Sequence, residues 1–182
     1  MLQTERLILR QWRDSDFLPF SQISADKDVM EFYPNPLSQE ESYKMATRIQ
    51  SLIAERGWGF WALELPNQED FIGFVGLHKP KETLPFSPCV EIGWRLAKEY
   101  WGRGYATEAA KESIKYAFNE INLEEVVSFT TLANARSQNI MQKIGMSNTG
   151  NNFMHPDIEC NHPRCEHVLF KITKSEWVQN VL

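Results

Sequence analysis

The chain has 182 residues, 42% hydrophobic and 24% charged, with a formal net charge of −5; this is the length of a single domain, residues 1–182, with enough apolar content for a full core. The negative balance argues against nucleic acid, whose binders present basic faces, and is permissive for a cationic or amine-bearing substrate. Three cysteines, Cys89, Cys160 and Cys165, are too few and too oddly placed for a disulfide framework, and no apolar run has signal-peptide or membrane-span length, so a soluble cytoplasmic protein with no membrane partner is expected.

Residues 6–10 read as a first strand. Asp14 is placed to cap a short helix carrying Phe17, Leu18, Phe20 and Ile23. After Pro34 and Pro36, Ser38 with Glu41 three residues on forms a capping box for a second helix. That helix has Tyr43, Ala46, Ile49 and Ile53 on one face and should stop at Gly57. Two strand runs, residues 58–65 and 71–77, are joined by Pro66-Asn67-Gln68 as a hairpin. A loop with Pro80, Pro85 and Pro88 leads into a strand over residues 89–96. A glycine-bearing turn follows, then a helix lined by Ala106, Ala110, Ile114, Ala117, Phe118 and Ile121. Residues 125–131 form the next strand, residues 136–144 a short helix closed by Gly145, and residues 168–172 a last strand. The order β-α-α-β-β-β-α-β-α-β is neither a regular βαβ alternation nor all-β. It predicts a mixed α/β (α+β) fold, a mixed sheet with helices on both faces.

The most informative stretch is Tyr100-Trp101-Gly102-Arg103-Gly104-Tyr105-Ala106-Thr107, between a strand and a helix. Two glycines let the backbone turn closely, so that successive N–H groups point inward at the mouth of a helix, where the dipole favours negative charge. Such a turn seats a pyrophosphate. A dinucleotide is one candidate, since Gly102-Arg103-Gly104 with Thr107 is a partial G-x-G-x-x-G, and Glu124 lies near where a ribose-binding acid is sought. Against it, Thr107 takes the place of the third glycine, and too little chain remains for a doubly wound sheet.

Gly104-Tyr105-Ala106 also resembles the acetyl-coenzyme A signature of the GNAT N-acetyltransferase superfamily, Q/R-x-x-G-x-G/A. Trp101 holds the Q/R position, a replacement familiar in the branch containing the ribosomal-protein N-terminal (alanine) acetyltransferases. Asn134-Ala135-Arg136-Ser137, followed by Ile140, Lys143, Ile144, Gly145 and Met146, is similar to a second motif of that superfamily, N-x-x-S-x-x-V-x-x-K-x-G-F. Thr4-Glu5-Arg6-Leu7-Ile8-Leu9-Arg10 resembles the first strand of the same branch. A single glycine motif is weak; three ordered matches are strong.

The resemblance implies the GNAT fold, whose mostly antiparallel sheet contains one splayed parallel strand pair, here residues 89–96 and 125–131. It implies acetyl-CoA as the acyl-donor substrate and no metal. The pantetheine arm would pair with backbone at Trp94, Arg95 and Leu96. The pyrophosphate would meet the N–H groups of Trp101, Gly102, Arg103, Gly104, Tyr105, Ala106 and Thr107, with Arg103 as a cationic neighbour and Asn134 as a further cofactor contact. An uncharged amine then attacks the thioester directly, with a free strand N–H near Trp94 available to the oxyanion. Glu91 is the first candidate base, because a carboxylate on this strand has that role in several family members; a solvated or salt-bridged strand residue is the alternative. Alternation puts Glu91 and Gly93 on one face of the strand and Ile92 and Trp94 on the other. The leaving thiolate, with an unperturbed pKa of roughly 8.5, needs only modest help from an acid. Where many members carry a tyrosine this chain has Met141, and Ser137 matches the motif serine implicated in the ribosomal-protein branch. Hydrogen bonding at the helix N-terminus beside Asn134 is the other reading of Ser137.

The segment 155–167 holds His155, Cys160, His162, Cys165 and His167, at a spacing that matches no familiar zinc pattern. His155 and His162 are alternative bases or simply order the loop. Phe32, Tyr33, Trp58, Phe60 and Trp61 either wall an acceptor pocket or belong to the core. The expected activity is acetyl transfer to an amine, a small molecule or a protein N-terminus, by a monomer or homodimer. A non-catalytic acyl-CoA-binding domain is the alternative that Met141 keeps open.

Overall fold

The computed structural model describes residues 1–80 and 83–181. Two compact units can be distinguished, Met1–Leu77 with Gly93–Ser113, and His78–Ile92 with Ile114–Leu182.

In the first unit β1 (Leu2–Gln3) and β2 (Ile8–Arg10) lead through a 3-10 turn (Asp14–Asp16) into α1 (Phe17–Ala25). Helix α2 (Gln39–Arg56) and the hairpin of β3 (Phe60–Leu65) and β4 (Glu69–His78) follow. Their ladders are antiparallel, with register Leu2↔Leu9, Leu9↔Leu63 and Ala62↔Phe74. Helix α2 begins as the capping box requires: Ser38 Oγ accepts the Glu41 N–H at 3.2 Å, and the Glu41 carboxylate accepts the Ser38 N–H at 2.8 Å. It stops at Gly57, which is left-handed at φ 81°. Ala46, Ile49 and Ile53 are buried and Tyr43 half-buried.

The cap expected of Asp14 is not formed: the N-cap position of α1 is held by Asp16, whose side chain makes no cap hydrogen bond to the helix. Its carboxylate accepts the Arg13 N–H at 2.7 Å and holds Arg10 at 2.7 and 2.9 Å. Arg10 also reaches Glu64 at 2.7 Å. A cation only 4% exposed is thus matched by two carboxylates, the condition under which a buried charge is tolerable. Trp12 packs edge-on against Phe20, with ring centroids 5.0 Å apart, and donates its indole N–H to the Phe60 carbonyl at 2.7 Å.

Strand β5 (Glu91–Leu96) carries the chain from the second unit into the first between Ile92 and Gly93, and α3 (Tyr105–Asn119) carries it back. In the second unit β5 pairs in parallel with β6 (Glu125–Thr131) at Glu91↔Val127. Helix α4 (Ala135–Lys143) ends at Ile144, with Gly145 at φ 89°. Two short strands that the sequence pattern does not announce, β7 (Ser147–Asn148) and β8 (Phe153–Met154), pair with β9 (Glu166–Thr173). Strand β9 is antiparallel to β6 from Glu125↔Thr173 to Thr131↔His167. From α3, Ile114, Ala117 and Phe118 are buried, whereas Ile121 lies past the helix end and is half-buried.

The expectation that β9 ends the fold is corrected by α5 (Lys174–Val181). Thr173 and Glu176 form the same kind of box as Ser38 and Glu41: the Thr173 N–H donates to Glu176 at 2.8 Å and the Glu176 N–H to Thr173 Oγ1 at 3.3 Å. The strands are mostly antiparallel with one parallel pair, as the mixed α/β reading requires.

Candidate active site

After β5 the chain passes through a 3-10 turn (Lys98–Tyr100) and reverses through Gly102 (φ 72°) and Gly104 (φ 84°) into α3. Both values lie where an L side chain is strained. A Cβ at Gly104 would also stand 3.3 Å from Arg6 Nη2. The helix ladder starts with the Glu108 N–H donating to the Gly104 carbonyl at 2.9 Å, so the amides of Tyr105, Ala106 and Thr107 precede it. With the positive end of the helix dipole they form a candidate seat for an anion. Trp101 is tied into the turn. Its N–H donates to the Lys98 carbonyl at 3.1 Å and its indole N–H to the Leu96 carbonyl at 2.9 Å, so Trp101 shapes the turn.

The seat is braced by residues that the sequence reading quotes only as part of a first strand. Glu108 accepts from Thr4 Oγ1 at 2.6 Å, from the Arg6 N–H at 2.9 Å and from Arg6 Nε at 2.7 Å, and is paired with Arg6 Nη2 at 2.6 Å. Arg6 Nη1 donates to the Arg103 carbonyl at 3.0 Å, and the guanidinium lies 4.7 Å from the Tyr105 ring centre. Burial pushes the Glu108 carboxyl up, but these donors outweigh it and hold the group below the usual carboxylate range. A glutamate in the first turn of a helix was a visible signal; its partners, remote in sequence, were not.

The start of β5 is locked to β6 by the Val127 N–H donating to the Val90 carbonyl at 3.0 Å and by Ser128 Oγ donating to the Ile92 carbonyl at 2.9 Å. Burial pushes the Glu91 carboxyl up to about 8. Burial, and then the charge of Glu91, push the neighbouring Cys89 thiol up to about 11. Burial rather than ion pairing sets the environment of Glu91.

At the head of α4, Asn134 Oδ1 accepts the Ser137 N–H at 3.2 Å, while Asn134 Nδ2 donates to Thr130 Oγ1 at 2.9 Å and to Ser137 Oγ at 3.1 Å. The capping role is therefore present, and the Ser137 hydroxyl, acting as acceptor, keeps its own proton to donate. Met141 is a buried core residue.

In segment 155–167, His155 Nδ1 accepts the Asp157 N–H at 3.2 Å and His162 Nδ1 accepts the Arg164 N–H at 3.1 Å, so each orders its own turn. Cys160 is exposed, and Cys165 is buried with its thiol directed at the Ile158 carbonyl, 3.4 Å away. Among the described residues no group of three or more His, Cys, Asp or Glu is placed to hold a metal ion. His167, given no role of its own by the sequence, is buried with Nδ1 3.0 Å from the Cys165 carbonyl and its ring 5.0 Å from that of His155. Phe129 and Phe153 pack against the pair, and burial lowers the pKa of both histidines. Of the candidate acceptor aromatics, Trp61 is core and Phe60 packs on Phe74 at 4.9 Å.

Residues 6–147 match the family model of the acetyltransferase (GNAT) domain. The chain is 27% identical over 177 residues to the uncharacterized N-acetyltransferase YnaD of Bacillus subtilis (strain 168), covering 97% of this chain and 98% of that protein. It is 30% identical over 112 residues to the putative ribosomal N-acetyltransferase YdaF of the same organism, covering 58% of this chain and 55% of that protein. The crystal structure of a GNAT-family acetyltransferase from Bacillus anthracis matches with a TM-score of 0.79 at 23% identity, covering 96% of this chain and 98% of that one. With a family model spanning most of its length, the chain belongs to the GNAT acetyltransferase family.

Proposed function

We propose that the whole chain, residues 1–182, acts as one acetyl-CoA-dependent N-acetyltransferase domain that moves the acetyl group directly from the thioester onto an uncharged amine. Two of the boundaries between the compact units fall inside β5 and α3, and an unbroken strand or helix is not an interdomain linker. The observation that carries the reading is the braced anion seat. Its left-handed glycines, its ladder-free amides at Tyr105, Ala106 and Thr107, and the Arg6–Glu108 pair beneath them suit a pyrophosphate. Arg103 supplies a neighbouring cation, Gly102 and Asn134 are further contacts, and the pantetheine pairs with backbone at Trp94, Arg95 and Leu96.

Glu91 takes the proton of the amine. A base held near 8 is well matched to an α-amine, whose own value is also about 8. Ser137, oriented by Asn134 Nδ2, donates to the leaving thiolate. The acceptor is a small-molecule amine or a protein N-terminus. Free thiols at Cys89, Cys160 and Cys165 suit the reducing cytoplasm, and no helix among the described residues is long and apolar enough to cross a membrane. Calorimetry with acetyl-CoA and with NAD tests the seat, and an amine panel read by CoA release and product mass tests the transfer. Binding of NAD without CoA overturns the reading; CoA binding with no amine acetylated would favour the non-catalytic alternative.

A further inference from the structure

Arg95 is a cation only 6% exposed, in the later half of β5. Its Nη1 donates to Ser24 Oγ at 3.0 Å. Its guanidinium lies 4.5 Å from the ring centre of Tyr33, 5.6 Å from that of Phe74 and 5.7 Å from that of Phe20. Its Nε–H is buried with no hydrogen-bond partner. Among the described residues, then, its partners are a hydroxyl and three rings, and none is a carboxylate. Arg10 in the same unit makes the contrast. It is as deeply buried, and two carboxylates surround it. The aromatic faces offset part of the Arg95 charge, but a buried donor without an acceptor is costly, and a buried cation without an anion more so. Such a group calls for an explanation, and a ligand that completes it is one.

The chemistry of that ligand follows from the donors. Nε and the adjacent Nη of a guanidinium present two parallel N–H bonds in a plane, the pattern that a carboxylate accepts in bidentate fashion. Access is also indicated. Phe20 and Phe74 are 0% and 3% exposed, whereas Tyr33, in the turns between α1 and α2, is 39% exposed, so the aromatic wall around the guanidinium reaches the surface on the Tyr33 side. Alternation along β5 puts Arg95 on the strand face that carries Gly93 and Glu91.

We infer that the Arg95 side chain recognises a carboxylate of the acceptor, and that the acceptor is an amine that also bears a carboxylate, as in an amino acid or a short peptide, rather than a polyamine. The inference rests on the acyl-transfer reading. The test uses matched pairs, 6-aminohexanoate against its primary amide and a dipeptide against its amide, with kcat and KM measured separately. Wild type should prefer the acid by about 30-fold or more, as expected for one buried, hydrogen-bonded charge pair. The preference should collapse towards one in Arg95→Met, through KM, and take an intermediate value in Arg95→Lys, which keeps the charge and loses the fork. Equal use of acid and amide by wild type, or a preference that survives Arg95→Met, overturns the inference. Should Arg95→Met not fold, the wild-type ratio and Arg95→Lys decide. If no amine is acetylated, the acyl-transfer reading fails first, and calorimetry with 6-aminohexanoate and its amide on acetyl-CoA-loaded protein takes over. There, tighter binding of the acid that is lost on substitution upholds the site, and no difference refutes it.

Discussion

Replacing Glu91 by Gln preserves the shape of β5 and removes the proposed proton acceptor. With the carboxyl held at about 8, about a tenth of wild-type molecules carry Glu91 ionised at pH 7 and about nine-tenths at pH 9. If the ionised form takes the amine proton, kcat/KM rises about tenfold across that interval. A basic acceptor amine titrates in the same direction, so the assay needs a weakly basic acceptor that is uncharged throughout. Under those conditions Glu91→Gln should be flat with pH and about 10²–10⁴-fold slower than wild type at pH 9. Stability gives an independent reading. The folded pKa lies above the ordinary value of 4.5, so the folded state holds the proton more tightly; the stabilising contribution is complete below about 4.5 and is lost as pH rises through about 8. At about 1.36 kcal/mol per unit, ionising Glu91 costs the folded protein on the order of a few kcal/mol. Glu91→Gln, which never ionises, should therefore melt above wild type at pH 9 and close to it at pH 5. A wild-type rate already flat from pH 7 to 9, or a variant retaining more than about a tenth of the rate, would refute the assignment.

Ser137→Ala should lower kcat less than Glu91→Gln and with little pH dependence, since a thiolate leaves tolerably unaided; stopped-flow CoA release checks this, and a loss as large as that of Glu91→Gln contradicts it. Gly104→Val should weaken acetyl-CoA in calorimetry, because φ 84° and a Cβ 3.3 Å from Arg6 Nη2 both oppose the side chain. Ser38→Ala should cost about 1 kcal/mol in urea unfolding with catalysis retained, as the loss of a helix cap does. Elemental analysis of protein prepared without chelator should find well under one zinc per chain, and a stoichiometric metal lost together with thermal stability would show the reading of segment 155–167 to be wrong.

Local signals were legible wherever the chain satisfied them locally. Ser38 and Glu41 announced the start of α2, and Gly57 its end, because both are contacts between near neighbours in sequence. The box at Thr173 and Glu176 is equally local, and a pattern that ends on β9 leaves it out. Asp14 has the composition of a cap, yet the N-cap position falls to Asp16, whose carboxylate answers the buried Arg10 instead of the helix, a demand set by tertiary structure. The strands β7 and β8 carry too little alternation to be seen, and exist through pairing with β9. At the site, the glycine turn was plain and its brace was not. Glu108 meets Thr4 and Arg6 only once the first strand has found α3. The bond from the Trp101 amide to Lys98 is likewise a product of the folded turn.

The three thiols differ enough to give the unmodified protein a single labelling position. Thiol-directed reagents attack the thiolate, and Cys89, held near 11, is almost wholly protonated at neutral pH. Cys165 has no exposed surface, whereas Cys160 stands in solvent. A maleimide dye at pH 7 should therefore couple at Cys160, between β8 and β9. Fluorescence from that segment can then follow acceptor and acetyl-CoA binding with every native cysteine left in place.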